Sequence, residues 1–393
     1  MALTLSHGGD TIFSTASRSE EVLVGTKEGI VFLKRNDGGS GWSIARRALA
    51  DKHIHAVIVE PKSGAIIAGA TEDTIYVSED DGQTWEKRDS GITQPDIYSL
   101  AAAQVNGKTR IFAGTQPAHL FFSDDLCRNW TELPALRSVD TSDWTFPGPP
   151  HVAHTKHINF HPEDTNTIFI GVEVGGLQKS TDGGQTFTRI TGMDNDVHRT
   201  VINPADPNKI YITGGDGIYM TSDGCETWEH LTTTAHELGG YPDFLLLHPR
   251  KPEVVLVAAA HHGPGSWRES HFAGSRISLS NDGGKTWEQL GNGLPDRMKG
   301  SVEAMCLEDW GGDTYSVFAA TATGEVWCSD DGGETWDLEG RVLKEKPPSS
   351  TYSMPATRLT DGTLIGIGQM NRFDDAHPVT INVETYGHVP SRL

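Results

Sequence analysis

Seven titratable side chains occupy one equivalent position in a strand pattern that recurs along the chain. Several copies of the strand end at a turn containing proline, such as Glu60-Pro61 and His161-Pro162, and these turns align the copies. The aligned position holds His55, Tyr98, Lys156, His198, Asp243, Glu303 and Tyr352. Acids and bases grouped in a confined space shift one another's pKa values toward those useful for general acid/base catalysis. The set therefore predicts a catalytic pocket.

Residue type suggests a division of roles within this set. His198 or Lys156 is the candidate base, and Glu303 or Asp243 is its partner or acid. The two tyrosines can donate hydrogen bonds to a developing oxyanion. These roles predict an enzyme, a hydrolase or a lyase, that acts on a small polar organic substrate. A water-filled polar channel whose charges are simply paired is the alternative.

The position that follows the aligned one is mostly small or apolar. Two larger polar residues, His157 and Arg199, fall there. A mostly small or apolar position is typical of packing between neighbouring strands, so this set is interpreted as structural.

A metal site is a second hypothesis for the aligned residues. His55, His198 and Glu303 provide two imidazoles and one carboxylate, a donor set that suits a divalent transition metal. No local spacing such as two histidines on one strand supports it. A divalent metal is therefore a candidate cofactor, and any other cofactor stays unknown.

Three long loops are expected on the same side as the aligned set, at residues 133–155, 261–275 and 369–377. Long loops carry binding residues more often than the elements they connect. The candidates for substrate binding are His154, His262, Trp267, Arg268 and Arg372. Together the loops predict a covered cavity.

The elements that must position these residues are repeated. An octet of the form SxDGGxTW occurs at residues 78–85, 180–187, 280–287 and 329–336, and degenerate copies occur at 35–42, 123–130 and 221–228. Its aspartate can accept hydrogen bonds from turn amides while glycine supplies positive φ, so the aspartate is interpreted as structural. A repeat of this length fits one four-stranded blade of a β-propeller.

Short apolar strands give the blade count: one precedes each of the seven octets, and a last one has no octet after it. Eight of them occur, so an all-β fold, a single β-propeller of eight four-stranded blades over residues 1–393, is favoured, with seven blades as the runner-up. The octets are placed between the third and fourth strands. Residues 3–6 are expected to pair with the C-terminal blade and close the ring, which removes a free sheet edge.

The octet resembles the Asp-box, or bacterial neuraminidase repeat, of sialidases, sortilin-type receptors and photosystem II assembly factors. Resemblance to sialidases implies glycoside hydrolysis, but the F/Y-R-I-P motif is absent and the aligned set contains no arginine. Sialidase activity is therefore not expected. Another glycoside hydrolase is an alternative, because Asp243 and Glu303 come from adjacent blades and can form paired carboxylates. The other resemblances imply a non-enzymatic binding or assembly scaffold.

Composition limits the partners. The chain carries 32 Lys+Arg and 53 Asp+Glu, a formal net charge of −21, so nucleic acid is not an expected partner. The start MALTLSHGGDTIF lacks a basic segment and a long apolar run, and no later stretch resembles a membrane span. We expect a cytoplasmic protein with a small-molecule substrate and no membrane partner, with its oligomeric state left open.

Overall fold

The computed structural model describes residues 2–39, 41–148, 150–342, 356–358 and 364–366. Strand β1 (Leu3–Leu5) and strand β2 (Ile12–Ser14) come first, followed by β3 (Glu21–Thr26), β4 (Gly29–Arg35) and β5 (Trp42–Ala48). Blade 1 has the order β1-β3-β4-β5. The innermost strand, β1, runs parallel to β3.

Five further blades follow the chain in order, each an antiparallel four-stranded sheet. Blades 2 and 3 comprise β6 (Ile54–Val59), β7 (Ile66–Ala70), β8 (Thr74–Ser78), β9 (Glu86–Lys87), β10 (Asp96–Val105), β11 (Lys108–Gln116), β12 (Leu120–Ser123) and β13 (Thr131–Glu132). Blades 4 and 5 comprise β14 (His154–Phe160), β15 (Ile168–Glu173), β16 (Gly176–Ser180), β17 (Thr188–Ile190), β18 (Val197–Ile202), β19 (Ile210–Gly214), β20 (Gly217–Thr221) and β21 (Glu229–Thr233). Blade 6 comprises β22 (Tyr241–His248), β23 (Lys251–Ala260), β24 (Arg276–Ser280) and β25 (Glu288–Gln289).

Blade 7 closes the ring against blade 1. It comprises β26 (Val302–Asp309), β27 (Ser316–Thr321), β28 (Glu325–Ser329) and β29 (Asp337–Arg341), and β2 pairs with β26 in parallel as a fifth strand. Arg35 Nη1 lies 2.8 Å from Asp330 Oδ2, and the Trp42 and Phe318 rings pack at 5.4 Å. Because blade 7 contacts blade 1, the seven blades form a closed propeller.

The seven-bladed alternative is therefore confirmed over the favoured eight. The strand expected to begin an eighth blade corresponds to β31 (Leu364–Gly366), which, among the described residues, pairs with β30 (Ala356–Arg358) in a two-stranded sheet. Residues 3–5 pair with blade 1, whereas the next strand, β2, pairs with blade 7. That residues 1–393 form one domain stays a prediction, since much of the chain after residue 342 lies outside the described residues.

The octets form the connections between third and fourth strands, as the sequence predicts. In the copy at 180–187, Asp182 Oδ1 accepts hydrogen bonds from Ser180 Oγ at 2.8 Å and from the Thr186 amide at 2.9 Å. Hydrogen bonds from Thr186 are the main reason that the pKa of Asp182 falls to about 2. This carboxylate is occupied in closing its own turn, which agrees with a structural role.

Residues 6–11 cross the central channel between β1 and β2. The Gly8 amide donates to His55 O at 3.0 Å, and Gly8 O accepts from the Leu100 amide at 2.9 Å. On the other side of the channel, Arg199 Nη2 donates to His7 O at 2.7 Å and the Leu307 amide donates to Thr11 O at 2.8 Å. The segment thus contacts the inner strands of blades 2, 3, 5 and 7 and ties them together.

Asp10 lies in this crossing segment, where burial raises the pKa of its carboxyl to about 6. The unfolded value is about 3.9. The protonated acid is therefore favoured by folding, and this contribution to stability is lost as pH rises through about 6. Asp10→Asn should raise the free energy of unfolding at pH 8 by about 1–3 kcal/mol, with a smaller gain at pH 5.

Urea unfolding of the wild type and the Asp10→Asn variant at both pH values measures this effect. Asp313→Asn, at an exposed position, is the matched control and should change stability by less than about 0.5 kcal/mol at either pH. An equal effect of Asp10→Asn at pH 5 and pH 8 would show that ionisation of the Asp10 carboxyl does not lower the free energy of unfolding.

Candidate functional site

Six of the predicted site residues occupy the same structural feature in six inner strands. In each strand the register with the second strand shifts by one residue, and the residue left between the paired positions is the one that the sequence alignment selects. These bulged residues are His55, Tyr98, Lys156, His198, Asp243 and Glu303. A β-bulge re-aims a side chain, and all six lie at the second or third position of their strands. They therefore belong to one face of the propeller.

An aromatic row occupies the side of blades 2 to 4. The His55 and Tyr98 rings pack at 4.4 Å between centroids, and Tyr98 and His154 pack at 3.9 Å. His154 begins β14 and is fully buried, so it belongs to an inner strand rather than to the loop in which the sequence placed it. Its Nε2 lies 2.5 Å from Glu173 Oε2.

A charged group adjoins this row on the side of blades 4 to 6. Lys156 Nζ lies 3.1 Å from Glu173 Oε2 and 3.2 Å from Asp243 Oδ1, so the ammonium of blade 4 bridges to a carboxylate of blade 6. Lys156 is only 3 % exposed. The two ion pairs offset the cost of burying the charge of this ammonium.

His198 joins the same group from blade 5. Its Nδ1 lies 2.8 Å from Pro242 O, and its Nε2 lies 3.4 Å from Asp196 Oδ1. Burial and Lys156 act to lower the pKa of His198, but Asp196 and Asp243 outweigh them, and the pKa is raised above its usual value. His198 is fully buried, so it cannot exchange a proton directly with solvent.

Glu303 lies on a cleft between blades 7 and 1. Its Oε1 accepts a hydrogen bond from Ser301 Oγ, and its Oε2 lies 3.6 Å from His7 Nδ1. Small and aliphatic residues line the cleft together with polar side chains, which include His7, Lys27, His53, His55, Glu303 and Thr321. The Glu303 side chain is 21 % exposed, which leaves it accessible to a ligand in the cleft.

Several residues that contact the bulged set lie outside the inner strands, so the alignment of inner strands did not select them. His7 belongs to the crossing segment, Glu173 ends β15, and Asp196 lies in the loop before β18. The acidic run before His198 is a signal that could have indicated Asp196. Arg199 was interpreted as packing, and it is fully buried, with its guanidinium over the Phe244 ring at 4.1 Å.

The predicted metal set is divided by the structure. His55 and Glu303 line the cleft, whereas His198 lies in the charged group with Lys156 and Asp243. Among the described residues, the group whose ligand atoms all lie within 4.8 Å of one another is Glu173, Asp196 and His198. His198 is therefore shared between the predicted and observed groups, and the other two ligands differ.

The predicted loop residues are placed less directly at the site. Trp267 lies in helix α1 (Pro264–Ser270), is 4 % exposed, and packs at 5.7 Å against Tyr241, whose ring packs on His198 at 4.6 Å. Trp267 therefore contacts His198 only indirectly, through the Tyr241 ring that lies between them. His262 is exposed and packs on His261 at 4.0 Å. Tyr352, Arg372 and the Arg268 side chain lie outside the described residues.

The described residues form a β-propeller, and the polar residues at the bulges lie at the face where six inner strands begin, divided between the cleft and the charged group. A family model described as sortilin, neurotensin receptor 3, matches residues 175–298. A xyloglucanase of Acetivibrio thermocellus is 25 % identical over 272 residues, 59 % of this chain and 31 % of that protein. A probable oligoxyloglucan-reducing end-specific xyloglucanase of Neosartorya fischeri is 23 % identical over 221 residues, 46 % of this chain and 25 % of that protein.

Solved structures support the same fold. A GH74 enzyme of Niastella koreensis has a TM-score of 0.57 at 19 % identity, covering 91 % of this chain and 57 % of that chain. An ancestral GH74 enzyme has a TM-score of 0.57 at 15 % identity, covering 72 % of this chain and 38 % of that chain. The chain resembles sialidase-like and sortilin-like propellers, and its matches span about a quarter to a third of the xyloglucanases named above. Within the described residues, no helix is long and apolar enough to cross a membrane.

Proposed function

We propose that this chain is a glycoside hydrolase whose substrate binds at the face where the inner strands begin. The observation that carries the proposal is the placement of Asp243 and Glu303 at equivalent bulges of the adjacent inner strands β22 and β26. Glycoside hydrolysis uses two carboxyl groups on either side of the scissile bond, one as acid and the other as base or nucleophile.

Asp243 is the candidate base or nucleophile. Its contact with Lys156 at 3.2 Å favours the ionised carboxylate, which is the form needed to activate water or attack the sugar. The His198 imidazole at 3.8 Å adds a second group that favours the negative charge.

Glu303 is the candidate acid. It lies on the cleft with the imidazoles of His7 and His55, and its carboxyl is accessible. Imidazole and hydroxyl groups around such a carboxyl can hydrogen-bond sugar hydroxyls and orient a glycosidic oxygen toward it. The difference in surroundings between Glu303 and Asp243 supports a division into acid and base.

The alternative assignment of His198 or Lys156 as base is less well supported. His198 is fully buried and directs Nδ1 at a backbone carbonyl, and Lys156 is held between two carboxylates. Both residues are better placed to orient Asp243 and to favour its ionised form than to reach a substrate. Xyloglucanases among the relatives suggest a β-glucan oligosaccharide as the substrate class.

The test is incubation of the full chain with xyloglucan and cello-oligosaccharides in water enriched in ¹⁸O, with the products identified by mass spectrometry. Hydrolysis places one ¹⁸O atom on each new reducing end, whereas a lyase cleaves without incorporating water. We expect labelled fragments. Unlabelled unsaturated fragments would support a lyase, and binding without cleavage would support a scaffold; either result contradicts the proposal.

A further inference from the structure

Three side chains of metal-ligating types converge beside Asp243, at the junction of blades 4 and 5. Glu173 is the last residue of β15, Asp196 lies two residues before His198, and His198 is the bulged residue of β18. One ligand atom from each of them lies within 4.8 Å of the other two. Bonds from a metal ion to nitrogen and oxygen are about 2.0–2.2 Å long, so two ligand atoms of one ion lie at most about 4.4 Å apart, close to this upper limit.

The imidazole of His198 has the orientation that a metal ligand requires. Pro242 O can only accept a hydrogen bond, so the Nδ1 atom at 2.8 Å carries the hydrogen. In the neutral ring this leaves a lone pair on Nε2, which is fully buried and makes no hydrogen bond. Metal-ligating histidines commonly donate their other ring N–H to a backbone carbonyl in this way.

The surrounding charge favours a cation. Asp194 and Asp216 lie near Asp196 in the adjoining loops, and Asp243 lies 3.8 Å from His198 Nδ1. Lys156 offsets part of this negative charge through Glu173 and Asp243. The Asp196 side chain is 20 % exposed, which gives an ion a route from solvent.

We propose that Glu173, Asp196 and His198 bind one divalent transition-metal ion. An imidazole with two carboxylates suits Zn²⁺ or Mn²⁺ better than the all-oxygen preference of Ca²⁺ and Mg²⁺. The ion occupies a position between Asp196 and Glu173, next to the Lys156 and Asp243 pair. Neither Asp243 nor Glu303 is a ligand, so binding of the ion can be measured whether or not the chain hydrolyses glycosides.

Calorimetric titration of the chelator-treated full chain with Zn²⁺ tests the site. We expect one equivalent to bind, and Asp196→Asn and Glu173→Gln each to weaken that binding by at least about 10-fold, because each removes a ligand. Circular dichroism of each variant checks that the fold is retained. If Glu173→Gln fails to fold, Asp196→Asn, at a half-buried loop position, still decides the question.

Asp216→Asn is the matched control because it removes the same charge from a neighbouring loop without removing a ligand. Its affinity for Zn²⁺ should stay within about threefold of the wild type at physiological ionic strength. Three results would overturn the site: absence of stoichiometric binding, binding that persists unchanged in Asp196→Asn, or an equal loss in Asp196→Asn and Asp216→Asn, which would indicate attraction by the acidic surface alone.

Discussion

Replacing Glu303 with glutamine is expected to lower kcat/KM for glycoside hydrolysis by about 10²- to 10⁴-fold, the range typical of removing a general acid. Glutamine keeps the shape of the side chain and its hydrogen bond from Ser301 Oγ, but it cannot donate a proton to the leaving oxygen. The loss should appear in kcat, while the dissociation constant of the oligosaccharide changes little.

Asp243→Asn should produce a loss of similar size, because the amide cannot act as base or nucleophile. Glu288→Gln and Asp337→Asn are the matched controls. Both residues are exposed on outermost strands and should retain activity within about twofold. Full activity in either Glu303→Gln or Asp243→Asn would remove that residue from the mechanism.

Gly8→Ala is expected to destabilise the fold by about 3 kcal/mol or more. A Cβ atom at Gly8 would lie 1.9 Å from Tyr98 O, and the two hydrogen bonds to His55 O and from the Leu100 amide fix the backbone there. The clash is with backbone, so no side-chain rotation can relieve it, and Tyr98 itself would be displaced from the site.

Urea unfolding at neutral pH measures the effect of Gly8→Ala. Gly291→Ala is the control, since no atom lies within 4 Å of the position a Cβ would take there. We expect that control to be neutral or to stabilise by less than about 1 kcal/mol. A stable Gly8→Ala protein with wild-type unfolding would contradict the described path of residues 6–11 through the channel.

The repeat made both the fold class and the inner-strand positions accessible from sequence. Turns such as His161-Pro162 recur after the inner strands, and alignment on them selected Lys156 and His198, which the structure places in equivalent bulges. The blade count was less accessible. A tally of apolar strands cannot reveal that β1 supplies the inner strand of blade 1 in parallel, which lets the ring close after seven blades.

Contacts between residues that are distant in the sequence could not be predicted from local sequence patterns. His7 reaches Glu303 only because residues 6–11 cross the channel, a contact between residues 296 positions apart. Glu173 resembles an ordinary strand end until its pairing with Lys156 and His154 is known. Arg199 follows a packing pattern, yet its guanidinium is directed inward to His7 O, where burial lowers its pKa to about 10.

We propose that Asp243 and Glu303 cleave a carbohydrate at the face where the inner strands begin. A crystal structure of Glu303→Gln with an oligosaccharide that the wild type cleaves tests it most directly. We expect a sugar in the cleft beside residue 303, with the scissile bond between that residue and Asp243. An oligosaccharide bound only at the opposite face or on the outer strands would contradict it.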